Sequence, residues 1–167
     1  MLNYTNVITE EKSYSGLQMK EIKPVMKLVI RGKKREFLSA IGKSLNLLLP
    51  TEANTSSRSD KLTALWLSPD EWMIYSNEIL NSESNEYETE NLLNKNISKT
   101  NLGAVTDVTD QFVLINMKGD KIFDLFETGS PFNFNDFRYK EGSVTQTILA
   151  KIDVIIHNQN PNEVNLF

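Results

Sequence analysis

The sequence predicts an α+β fold in which duplicated β-α-β-β units form a sheet layer backed by helices. Three observations predict it. Apolar strands at residues 25–31 and 112–117 each run into a cation followed by glycine, Arg31-Gly32 and Lys118-Gly119. A stretch of helical period follows each, with Phe37, Leu38, Ile41, Leu45 and Leu48 in the first and Ile122, Phe123 and Phe126 in the second. A polar loop and an apolar hairpin, 65–75 and 144–157, then close each set. Neither half could bury the apolar face of its hairpin alone, so two such units are expected to share one domain.

In chain order, residues 1–23 are charged and weakly patterned and read as an arm, ending where Pro24 announces the first strand. The single domain then spans 24–167, with pseudo-repeats 24–100 and 101–167. Pro50 closes the first helical run, and the Ser, Thr and Asn of 51–60 read as a solvated loop. The hairpin that follows, Leu65 to Tyr75, holds both tryptophans of the chain, Trp66 and Trp72. Its aromatic and large apolar residues suit a pleated, half-buried surface, and Pro69 presets φ for the turn between them. Residues 81–90 are polar and acidic, and a thin apolar face over 87–97 predicts a short helix. Strands at 105–108 and 112–117 flank Thr109-Asp110. Gly129 is placed to stop the second helix ahead of Pro131, and 132–142 reads as a loop rich in aromatics and Asn.

Composition narrows the function. Of 167 residues, 40% are hydrophobic and 24% charged, with a formal net charge of −4, which suits a globular protein and disfavours nucleic acid as a partner. No cysteine occurs, so disulfides, thiolate metal sites and Cys nucleophiles are excluded. No run is long and apolar enough to span a bilayer and the N-terminus lacks a signal-peptide core, so no membrane partner and a cytoplasmic location are expected.

Each candidate site has a plainer reading beside it. Asp70 and Glu71 are adjacent carboxylates on a turn, where acid–base work would need one buried or charge-coupled. Turn chemistry accounts for them without catalysis. Asp107 and Asp110 likewise suit an Asx-type turn at a strand end. His157 is the single histidine and has no second ligand at metal spacing, so catalytic and metal-binding residues are assigned to none. Arg31, Lys33, Lys34 and Arg35 gather four cations at a helix start, suited to a carboxylate-bearing ligand or an acidic partner, or else a solvated basic face. Phe132, Phe134, Phe137 and Tyr139 crowd one loop, either as a docking surface or folded back over the sheet. The interface candidates are therefore Trp66, Asp70, Glu71, Trp72, Arg31, Lys33, Lys34, Arg35, Phe132 and Phe134.

The wording of several segments resembles one family. Leu28-Val29-Ile30-Arg31-Gly32, then Leu49-Pro50, then Ala64-Leu65-Trp66-Leu67-Ser68-Pro69-Asp70-Glu71-Trp72-Met73-Ile74 are similar, in order and in wording, to the gamma subunit of heterotetrameric sarcosine oxidase. Asp107-Val108-Thr109-Asp110, Met117-Lys118-Gly119-Asp120, Gly129-Ser130-Pro131 and Thr145-Gln146-Thr147-Ile148-Leu149-Ala150 agree more loosely, and the likeness runs over residues 22–157. The resemblance implies a fold like the folate-binding domain of glycine-cleavage aminomethyltransferase. It also implies a non-catalytic assembly subunit beside alpha, beta and delta subunits. The complex would demethylate sarcosine to glycine with oxygen, giving hydrogen peroxide and formaldehyde or 5,10-methylenetetrahydrofolate. FAD, FMN, NAD, zinc and tetrahydrofolate would be held by the other subunits, and no cofactor by this chain. Relatives continue past the last hairpin with a further strand and helix, whereas this chain stops at Asn165-Leu166-Phe167, which predicts an unfinished sheet edge. The alternative is a free-standing folate-binding protein, with the Arg31 to Arg35 cations holding a glutamyl tail.

Overall fold

The computed structural model describes residues 5–8, 11–80 and 87–167. The remainder of the expected arm, and the acidic stretch at 81–86, lie outside the described residues. The strands are β1 (Lys12–Tyr14), β2 (Leu17–Ile22), β3 (Lys27–Arg31), β4 (Ser56–Arg58), β5 (Leu62–Ser68), β6 (Glu71–Ser76), β7 (Ala104–Asp107), β8 (Leu114–Lys118), β9 (Val144–Leu149), β10 (Ile152–Asn160) and β11 (Glu163–Leu166). The helices are α1 (Arg35–Leu45), α2 (Glu88–Leu93), continued by a π-helical turn at Asn94–Ser98, and α3 (Ile122–Gly129). The chain divides into two compact units, Pro24–Phe112 and the N-terminal segment through Lys23 together with Val113–Phe167. Two antiparallel sheets thus replace the one sheet layer expected.

The Pro24–Phe112 unit holds a five-stranded sheet in the order β4-β5-β6-β3-β7. Leu28 and Ile30 of β3 alternate inward, as do Trp72 and Ile74 of β6, and they meet Phe37 and Ile41 of α1. Each large side chain so buried contributes about 1.5–3 kcal/mol. The helix ends earlier than its periodicity suggested. Asn46 takes a left-handed φ of 50°, the conformation that closes a helix, and this leaves Leu48 outside it and 80% exposed. Residues 56–58, expected within a loop, add the edge strand β4 against β5.

The other unit holds a six-stranded sheet in the order β1-β2-β8-β11-β10-β9. Residues 12–22, read as part of an arm, form a hairpin whose second strand pairs with β8. Leu17 faces the core and Glu21 is buried too, its carboxylate accepting from the Ile8 N–H at 2.7 Å; the charge on that inward position hid the strand pattern. The C-terminal residues do not form an open edge. β11 lies between β8 and β10, and Phe167 exchanges two 2.9 Å backbone hydrogen bonds with Ile155. The aromatic loop is likewise core, with Phe134 and Phe137 buried against Phe123.

The two sheets repeat one plan. Strand β3, helix α1 and the meander β4-β5-β6 correspond to β8, α3 and β9-β10-β11, and in each the last strand pairs with the first. Strands β7 and β2 then take equivalent places beside β3 and β8, β7 at its sheet's edge and β2 followed by β1. The counterpart of the tryptophan hairpin is therefore β10–β11 rather than β9–β10. Its tip, Asn160-Pro161-Asn162-Glu163, matches Ser68-Pro69-Asp70-Glu71, and both hairpins carry a register shift just before the tip. In each unit the third tip residue accepts from the glycine that ends the first strand, Gly32 N to Asp70 O at 3.0 Å and Gly119 N to Asn162 O at 2.9 Å.

Gly119 holds φ at +131°, and a Cβ there would run into the Gly16 carbonyl. Gly119→Ala is expected to cost about 2–4 kcal/mol. By contrast Gly42→Ala, within α1 and facing only ordinary contacts, should gain roughly 0.5–1 kcal/mol. Urea unfolding of both variants checks the pair, and a loss of under 1 kcal/mol at Gly119 would contradict the assigned step.

Candidate functional site

The tip of the tryptophan hairpin meets the start of α1. Asp70 accepts from the Ser68 hydroxyl at 3.0 Å and pairs with Arg31 and Lys33, each at 3.6 Å. The Ser68 hydrogen bond, then the two cations, hold its carboxyl below the usual carboxylate value. Such a group stays ionised at neutral pH, the opposite of a poised general acid. Glu71 sits beside it at the first position of β6, opposite Arg31 of β3. Two of the four clustered cations are thus engaged by Asp70, while Lys34 and Arg35 stand exposed, with no ion pair among the described residues.

Between this tip and α1 lies a groove of about 250 Å³, lined by Gly32, Lys33, Leu38, Thr51, Ala53, Trp66, Pro69 and Trp72. The two tryptophans face each other across the β5–β6 register but are treated differently. Trp72 is 3% exposed, its ring centroid 5.9 Å from that of Phe37, and its Nε1–H donates to the Pro50 carbonyl at 2.8 Å. Trp66 is half-buried and offers part of its ring to the groove. One ring is core, and the other is available for contact.

A second polar cluster surrounds Lys27, which sequence reasoning passed over. Its side chain is 2% exposed, and Nζ donates to the Val25 and Thr109 carbonyls at 3.1 and 3.0 Å. Burial lowers its pKa to about 8, against the partial opposing pull of Asp110 and Asp107. The Asp107 carboxylate accepts from the Thr109 N–H at 2.8 Å, the Asx-type turn expected there. The signal available in sequence was the cation inside an otherwise apolar strand, Val25-Met26-Lys27-Leu28.

The other candidates do not join these clusters. His157 is buried on β10, with Nδ1 2.7 Å from the Gln159 amide. Phe134 is wholly buried and Phe132 half-buried, packed into the aromatic cluster of the C-terminal unit rather than presented as a docking surface. Among the described residues no group of three His, Asp or Glu is placed to hold a metal ion, and no helix is long and apolar enough to cross a membrane.

Comparison with known proteins yields a family match and matches among solved structures. The family model for the sarcosine oxidase, gamma subunit family matches residues 32–166. Among solved structures, a chain of the heterotetrameric sarcosine oxidase from Corynebacterium sp. U-96, in complex with pyrrole 2-carboxylate, superposes with a TM-score of 0.77. The identity is 16%, and the superposition covers 90% of this chain and 74% of that one. No curated protein matches the sequence.

Two stability measurements separate the roles in these clusters. Trp72→Ala should cost about 3–5 kcal/mol, as for a buried ring, and Trp66→Ala about 1 kcal/mol or less in urea unfolding. Equal losses would place both rings in the core. For Lys27 the folded pKa, about 8, lies below its ordinary 10.5, so above pH 8 the unfolded chain binds more protons and stability rises with pH until about 10.5. Relative to Lys27→Met, the parent protein should therefore gain stability across that window. A flat difference would mean that the ammonium keeps its proton in the fold.

Proposed function

The chain belongs to the sarcosine oxidase gamma subunit family, and from that premise we propose that it is the non-catalytic assembly subunit of a heterotetrameric sarcosine oxidase in the cytoplasm. The match over residues 32–166 carries this reading. Alpha, beta and delta subunits are its partners, and the complex demethylates sarcosine to glycine with oxygen, releasing hydrogen peroxide and the methyl carbon as formaldehyde or 5,10-methylenetetrahydrofolate. FAD, FMN, NAD, zinc and tetrahydrofolate work in the other subunits. The repeated strand–helix–meander plan supports kinship with the folate-binding domain of aminomethyltransferases.

The local chemistry agrees with a structural role at the most distinctive segment. Asp70 is held ionised by a hydroxyl and two cations, Trp72 is locked to Pro50 and Phe37, and both serve the turn rather than a reacting group. A free-standing folate carrier would instead need the Arg31 to Arg35 cations available for a glutamyl tail, and Asp70 already engages Arg31 and Lys33.

A tagged chain purified from its native cell should bring down flavin-coloured subunits in fixed stoichiometry, with sarcosine-dependent hydrogen peroxide production in the eluate. Recovery of the chain alone, without flavin absorbance, would overturn the proposal.

A further inference from the structure

We draw no further inference here: the strongest candidate, the groove between the tryptophan hairpin and helix α1 that Leu38 and Trp66 line, carries nothing because nothing in the structure shows what covers it.

Discussion

One backbone hydrogen bond, made twice, organises each unit: the carbonyl of the third hairpin-tip residue accepting from the glycine that ends the first strand. Asp70 O meets Gly32 N at 3.0 Å and Asn162 O meets Gly119 N at 2.9 Å. The bond ties the last hairpin of the meander to the point where the first strand hands over to its helix. It therefore sets how far the hairpin reaches past that helix. A register shift one residue before each tip bends the hairpin into place, and Pro69 or Pro161 fixes the turn. Ser68 and Asn160 perform the same local task by different chemistry, a hydroxyl donating to Asp70 and an amide oxygen accepting from the Asn162 N–H.

With the scaffold held in common, the units differ in what lies between hairpin and helix. Tryptophan at 66 and 72 makes a broad apolar wall, closed on one side by Pro50 and Phe37 and open on the other. Asparagine at 158 makes a polar anchor that pins a loop by three donated hydrogen bonds, while Phe132, Phe134 and Phe137 supply the apolar mass. Stability inside the C-terminal unit is thus met within one chain. The tryptophan groove leaves parts of the half-buried Leu38 and Trp66 to water.

Much of this was legible in the sequence. Strand, glycine and helix recur with the right periods, and the tryptophan hairpin carries its own turn residues, so those elements are found where propensity and pattern agree. The misreadings share a physical cause. Leu48 continued a helical period that Asn46 ended through its backbone conformation, which composition does not encode. Leu17 to Ile22 was missed because the buried carboxylate of Glu21 is satisfied by a distant N–H, a tertiary contact with no local trace. The aromatic loop could not be told from a docking surface until Asn158, some twenty residues away, was seen to hold it down. At the site itself, Trp66 and the cations were legible as types, but the groove that Trp66 lines with Leu38 and Thr51 is made by residues far apart in the chain.

Lys27 shows how a polar group does what hydrophobic pattern cannot. The outer strand β7 shows an exposure pattern of exposed, half-buried, exposed, exposed, so a one-residue slip against β3 would cost little burial. What resists the slip is the turn that follows. The Val108 N–H donates to the Lys27 carbonyl at 2.9 Å, the Lys27 N–H to the Thr109 hydroxyl at 3.0 Å, and the ammonium to the Thr109 carbonyl at 3.0 Å. Asp107 fixes Thr109 in turn, at 2.8 Å. Burying an ammonium costs free energy that a methionine would not, and the lowered pKa records that cost. The return is register: with β7 pinned at one end by a set of bonds that only one alignment can make, Ala104 stays opposite Arg31 at the other end, beside the glycine step on which the hairpin tip is seated.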